Sequence, residues 1–350
     1  MMARLSLLLT ALLSPAAAAA GEREVVLRLG AESDSNPTRV FGAGEGLEVG
    51  PKGTVSYRDQ LLLWPDGLLT TENQLGTRWL PLRNDWAAVW QVGGGLTWMG
   101  RGDWTHRAQA EFRGRSEAVE EDDLGISRDY ERLAGSVGSS GSWGEFSVEG
   151  TAGYAAFGYA ADRAKSWHGP TLTLSGSYAP TEALLVSMAY EPSLRRNEAA
   201  AFSLSESLSQ SASARVEYDG GRWIASAAGA ATAAASSISE PGSGAYLHRS
   251  LELTVGGLLW GDALGRLSGV LQRVDYDGVG SVVELAVEDE DRNQVSLAIE
   301  QPLSGGWGLE GRYQRLLQRQ QAGSSAQNDF ERHIAFVGLS WRSGAGGEAP

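Results

Sequence analysis

The feature that most constrains this chain is a two-residue period in side-chain polarity that keeps restarting after turn residues, from residue 24 onward. From Trp104 to Arg115 the even positions are Trp104, His106, Ala108, Ala110, Phe112 and Gly114, and the odd positions are Thr105, Arg107, Gln109, Glu111, Arg113 and Arg115. Successive side chains of a strand point to opposite faces, so one face here is apolar and the other belongs in water. The segment Trp86 to Met99 repeats the logic, with Trp86, Trp90, Val92, Leu96 and Trp98 set against Gln91, Gly93, Gly95 and Thr97. Leu172/Leu174/Tyr178, Leu251/Leu253/Val255 and Val337/Leu339/Trp341 carry the same dyad. A soluble sandwich shows this period too, so the connectors must decide.

The connectors alternate between short and long. Short ones include Pro65-Asp66-Gly67, Arg101-Gly102-Asp103, Pro180-Thr181-Glu182, Asp219-Gly220-Gly221 and Leu303 to Gly306. Between them run Ser33 to Lys52, Ser116 to Arg128, Ala160 to Ser166, Arg195 to Glu206, Ser237 to Leu247, Asp277 to Arg292 and Gln320 to Asp329; only Pro81 to Asp85 is brief on that side. Transmembrane β-barrels have this asymmetry, with short periplasmic turns and long outer loops. The pattern predicts an all-β, antiparallel transmembrane barrel of about sixteen strands, fourteen or eighteen being the alternatives. It opens with a strand at Glu24 to Ala31, continues at Thr54 to Trp64 and ends at Arg332 to Trp341. At roughly 11 residues per tilted strand the wall matches a hydrocarbon core.

Tryptophan placement tests the barrel independently. Trp64, Trp98, Trp104, Trp143, Trp223, Trp260, Trp307 and Trp341 all lie near a short turn or at the end of the last strand, where a girdle at the headgroup level would sit. Trp79, Trp86, Trp167, Tyr130, Tyr190, Tyr246 and Tyr276 fall at the opposite ends and are expected to form a sparser second ring. In a soluble sandwich such rings would lie mid-strand, as Trp90 does here.

Composition removes other classes. The chain has no cysteine, which excludes a disulfide scaffold and a thiolate metal site, and its formal charge of −14 argues against a nucleic-acid partner. Arg4, the apolar run Leu5 to Leu13 and the alanines ending near Ala20 form an export signal, so residues 1–20 are expected to be cleaved. The barrel is expected over 21–341, with 342–350 as a tail. No cofactor is implied.

Sorting charges by parity puts Arg28, Arg58, Arg78, Arg107, Arg113, Arg115, Arg215 and Arg312 on the polar face, against Glu72, Glu111, Glu149, Glu191, Glu217, Glu252, Glu300 and Glu310. The signs balance. The net acidity instead collects at Glu117, Glu120, Glu121, Asp122 and Asp123, and again at Glu284, Glu288, Asp289, Glu290 and Asp291. Such runs most often form a solvated face. The candidate lumen path is Arg107, Arg113, Arg115, Glu111, Arg58, Glu72, Arg78, Arg312 and Glu310, with the arginine row paired to Glu111 and Glu72 across strands or forming a cationic track for an anion or sugar. Small residues such as Ser147, Thr151, Gly153, Thr171, Thr173, Ser211 and Ser213 would keep a bore open. Gly93-Gly94-Gly95 lies within a strand and is expected to relieve crowding or bend the wall. His106, His168, His248 and His333 lack the spacing that pairs a serine nucleophile with a base and an acidic orienter, so no enzyme is predicted.

The segment Leu29-Gly30-Ala31-Glu32-Ser33-Asp34-Ser35-Asn36-Pro37 resembles the first-strand ending of bacterial outer-membrane barrels such as surface-lipoprotein assembly modifiers and some exopolysaccharide secretion barrels. Asp34 and Asn36 would start turns and Pro37 would end the strand. The resemblance implies a channel in the outer membrane, in its most concrete form one for polysaccharide export. A separate periplasmic polysaccharide-export protein would be its partner, alongside outer-membrane lipid, lipopolysaccharide and the insertion machinery. The last strand, alternating Ala335, Val337, Leu339 and Trp341, resembles the C-terminal signal that this machinery reads. A diffusion porin for small hydrophilic solutes, and a structural or adhesion barrel acting through its acidic loops, are the alternatives.

Overall fold

The computed structural model describes residues 21–35, 46–82, 84–116, 129–159, 166–197, 206–236, 246–276, 293–318 and 330–343. The expected export signal over 1–20, both acidic runs, Asn36 and Pro37 therefore lie outside the described residues. The first half of the barrel comprises β1 (Gly21–Asp34), β2 (Glu48–Trp64), β3 (Gly67–Leu80), β4 (Asp85–Met99), β5 (Trp104–Ser116), β6 (Tyr130–Trp143), β7 (Phe146–Tyr159) and β8 (Trp167–Thr181). The second comprises β9 (Leu184–Asn197), β10 (Glu206–Asp219), β11 (Trp223–Ser236), β12 (Tyr246–Leu258), β13 (Leu264–Tyr276), β14 (Asn293–Pro302), β15 (Trp307–Gln318) and β16 (Phe330–Ser343). Each strand pairs antiparallel with its sequence neighbours, and β1 pairs with β16 to close a barrel of 16 strands. Closure leaves no edge for another chain to extend.

The strands run past the limits expected from periodicity. β2 begins six residues earlier than Thr54, because Asp34 to Gly30 of β1 continue its ladder onto Glu48 to Lys52. Asp34 is thus a strand residue rather than the start of a turn. β16 continues through Ser343, with Val25 of β1 opposite Ser343.

Short turns are built on glycine where the chain must adopt positive φ. Gly102, Gly144, Gly221 and Gly261 have φ of 68°, 59°, 79° and 53°, each in a connector between two paired strands. Asp219 fixes one of them by accepting the Gly221 N–H through Oδ1 at 2.7 Å.

The two faces of the wall differ in crowding. Side chains inside a cylinder converge and shield one another, whereas those outside diverge. Leu29, Val137, Leu174, Met188, Leu253, Leu271 and Val337 are all exposed and share the outer parity. A charge at the midplane of such a surface would cost about 2–4 kcal/mol in a bilayer, which is why this face is apolar. Below it, at the short-turn end, lie Trp64, Trp104, Trp143, Trp223, Trp260 and Trp307, all exposed. Trp104 and Trp143 meet edge to face at 5.5 Å. At the other end Trp79 and Trp86 oppose one another, with ring centroids 5.1 Å apart. These are the two aromatic girdles.

Trp90 also faces outward, and its indole covers Gly114 on β5, where an added Cβ would come within 2.2 Å of the ring. A ring laid over a bare glycine restores the packing that the missing side chain forgoes.

Tyr130 and Trp167 do not belong to the outer ring. Both have the inner parity, Tyr130 beside Arg115 and Trp167 beside Phe157 in the register, and Tyr130 is buried. The parity of Leu133 and Val137 on β6, and of Leu172 and Leu174 on β8, predicts this, whereas proximity to a loop points the other way.

Candidate channel lumen

Because alternate residues of every strand face inward, the register assigns the lumen without reference to function. Arg58, Glu72, Arg78, Arg107, Glu111, Arg113, Arg115, Glu310 and Arg312 all take the inner parity. They do not form one track. Arg58 and Glu72 sit directly opposite and pair at 3.4 Å, both half exposed. Arg107 reaches Glu149 on β7 at 3.1 Å rather than Glu111 or Glu72. Glu111 instead holds Arg132 at 3.5 Å and accepts from the Gln91 amide at 3.2 Å. Arg113 lies between Gln91 and Arg132, and Arg115 lies next to Tyr130.

The mismatch has a geometric cause. Arg107 crosses the whole of β6 to meet its partner, and the residue it crosses is Gly138. Arg78 crosses β2 to reach Glu32 at 2.8 Å, beside Gly50, which faces Glu32. Arg28 crosses β16 to reach Glu310 at 3.2 Å, beside Gly338, which faces Glu310. On a concave wall a long side chain spans two strand spacings when the strand between offers no side chain. Gly93 between Glu72 and Glu111 leaves a similar gap, yet a Cβ there would make only ordinary 3.6 Å contacts, so crowding does not explain that glycine.

Periodicity finds the densest part of the lumen only in part, assigning Arg28, Arg78, Arg312 and Glu310 to it but not Glu32, Asp34, Glu48, Lys52 or Arg332. On the inner face of β1, β2, β3, β15 and β16, Arg332 donates to Asp34 from Nε and Nη2, at 2.9 and 2.5 Å, and Arg78 adds a contact to Asp34 at 2.7 Å. The Arg332 and Asp34 side chains are only 2% and 3% exposed. Lys52 pairs with Glu32, and Arg312 with Glu310. Glu48 accepts the Leu82 N–H at 2.9 Å. Phe336 and Leu316, also inward, pack beneath these charges and are buried. Lys52 and Asp34 lie in the stretch Ser33 to Lys52, whose polar and turn-forming residues imitate a loop. Extending the parity of Thr54 and Arg28 outward would have found both.

The wall across the bore is different in kind. Ser209, Ser211 and Ser213 on β10, Ser226, Ala228, Ala230 and Thr232 on β11, and Ser250 and Thr254 on β12 face inward, and the charges among them are the exposed Arg215–Glu217 pair at 3.1 Å and Glu252, which accepts from Thr254. Some hydroxyls that oppose in register bond, Thr232 to Ser211 at 3.0 Å and, further round the wall, Ser268 to Ser296 at 2.7 Å. Between the two walls, at the long-loop end, Tyr130, Phe157 and Trp167 stack along neighbouring strands at 4.7 and 5.9 Å, and the Arg195 guanidinium covers Trp167 at 4.5 Å.

Histidines serve as hydrogen-bond partners. His106 meets Ser139 at 2.8 Å on the outer face beneath Trp98, His248 meets Gln272 at 3.0 Å, and His333 sits between Tyr313 and Glu331. No group of His and carboxylates among the described residues is placed to hold a metal ion.

No protein-family model and no curated protein matches this sequence. Solved structures do match its shape. CdiB from Acinetobacter baumannii superposes with a TM-score of 0.52 at 9% identity, over 91% of this chain and 60% of that one. Salmonella typhi OmpF superposes with a TM-score of 0.50 at 13% identity, over 91% and 96% of the two chains. The fold is that of a bacterial outer-membrane β-barrel. The apolar outer wall, the tryptophan girdle at the short turns and the Trp79–Trp86 pair at the other end suit a barrel that spans a bilayer.

Proposed function

We propose that this outer-membrane barrel is a water-filled channel and that its cargo is a polysaccharide leaving the cell. The observation that carries the reading is the small, hydroxyl-rich inner wall of β10 to β12, set across the bore from charged side chains. Barrels of about sixteen strands are wide enough to leave an aqueous channel, and short side chains keep it from filling. Serine and threonine hydroxyls offer a sugar chain donors and acceptors without the desolvation penalty of a buried charge. In this reading Arg107, Arg113, Arg115 and Glu111 form a polar flank of the path, with Arg58, Glu72, Arg78, Arg312 and Glu310 on the wall beside it. A separate periplasmic export protein would deliver the polymer. The outer face would meet lipid and lipopolysaccharide, and the last strand the insertion machinery.

Conductance of the purified barrel in planar bilayers tests the channel, and the amount of surface polysaccharide after gene deletion tests the cargo. Stable ion currents with loss of surface polymer are the expected results. Currents with unchanged polymer would leave a diffusion porin. A silent barrel would point to an adhesive or structural role.

A further inference from the structure

The ion-paired wall contains a recess of about 140 Å³ on the lumen side, lined by Arg28, Glu32, Lys52, Arg312, Ile334 and Phe336 among others. A single water needs roughly 10–15 Å³ of such space, so the recess admits a polyatomic group. Its charges are layered. The carboxylates of Glu32 and Glu310 are 4% and 5% exposed, whereas Lys52, Arg28 and Arg312, which pair with them, are 36%, 26% and 50% exposed. The anions sit behind and the cations in front. Asp34 is buried between Arg78 and Arg332 and does not line the recess. Glu48 is buried against the Leu82 N–H, and Glu300, opposite Glu310 in register, also lies outside the lining. In a chain of net charge −14, this recess therefore presents three partly exposed cations to the bore, with Glu32 nearly buried among them and Ile334 and Phe336 as its apolar lining.

We propose that this recess is an anion subsite that takes the carboxylate of an acidic saccharide, a hexuronate residue of the polymer, during its passage. Guanidinium and ammonium groups already half satisfied by carboxylates behind them keep donors turned toward the lumen, and charge-assisted bonds to a second carboxylate use those donors. Phe336 and Ile334 offer a face for the C–H side of a sugar ring. The ring of Phe336 is fixed by lying across Gly30 and Gly338, where added Cβ atoms would come within 2.7 and 2.5 Å of it. The subsite deepens the channel reading and rests on it for its biological sense, though not for its chemistry.

Calorimetric titration of the folded, detergent-solubilised full chain with trigalacturonate and with neutral maltotriose tests the subsite directly, with folding of each variant checked by heat-modifiable gel mobility. Trigalacturonate is expected to bind at least about tenfold tighter than maltotriose. Lys52→Gln and Arg312→Gln are each expected to weaken trigalacturonate about tenfold or more while leaving maltotriose unchanged. Arg78 still bonds Glu32 when Lys52 is replaced, and the Arg28 guanidinium stays 3.2 Å from Glu310 when Arg312 is replaced, so each buried carboxylate keeps a cation beside it. Equal binding of the two saccharides, or binding indifferent to both substitutions, overturns the subsite. Selective binding by a barrel that carries no current supports the subsite and overturns the channel; currents without selectivity do the reverse.

Discussion

The wall where the barrel closes and the wall opposite it are held by different chemistry. At the seam, β1 meets β16 across nearly the whole length of the chain, Arg332 and Asp34 being 298 residues apart. There the inner face carries large charged side chains in buried, multiply bonded pairs. Across the bore, β10 and β11 are joined by a three-residue turn, and their inner face carries serine, alanine and threonine, with one exposed ion pair, Arg215 with Glu217, near that turn. A hairpin turn fixes the register of its own two strands, so the side chains between them are free to be small. No turn fixes the register of first and last strand. Directional pairs such as Arg332 with Asp34 penalise a slipped closure, because a one-residue shift would turn each charge toward lipid.

The contrast can be broken in order of effect. Arg332→Ala leaves Asp34 buried with part of its compensation removed and should destabilise the barrel by about 3–5 kcal/mol, measured by urea unfolding in lipid vesicles. Gly30→Ala should cost about 1–3 kcal/mol, since its Cβ would fall 2.3 Å from the Val337 carbonyl oxygen. Gly229→Ala on β11, where the nearest atom is 3.9 Å away, should stay within about 0.5 kcal/mol of the parent in the same assay. Thr232→Val removes a 3.0 Å hydroxyl bond on the far wall and should cost at most about 1 kcal/mol. On the charged side, Arg58→Gln breaks a pair that lies near the seam but is half exposed. Its effect should be below about 1 kcal/mol and should vanish in high salt. Equal losses for Arg332→Ala and Arg58→Gln would mean that charge alone, and not burial, distinguishes the seam.

Much of this molecule was legible in its parity. The alternation in Trp104 to Arg115 assigns the inner face of β5 correctly, and the rhythm of connectors gives the number of strands. What was lost was lost at strand ends. Lys52, Glu48 and Asp34 lay in a stretch rich in polar and turn-forming residues, where local composition outweighs a weak dyad. Tyr130 and Trp167 were set in the outer ring by nearness to loops, although their neighbours' parity turns them inward.

By itself, then, the sequence determined which face of each strand meets lipid and which meets the bore, because that choice depends only on a two-residue period and the cost of placing charge in hydrocarbon. It determined where the aromatic girdle at the short turns would fall, for the same reason. The tertiary structure decided which charges meet. Arg107 with Glu149, Arg78 with Glu32 and Arg28 with Glu310 each span an intervening strand, and no one-dimensional pattern encodes that reach. It depends on the stagger of the closed barrel, the curvature that draws inner side chains together, and the glycines that leave room between them.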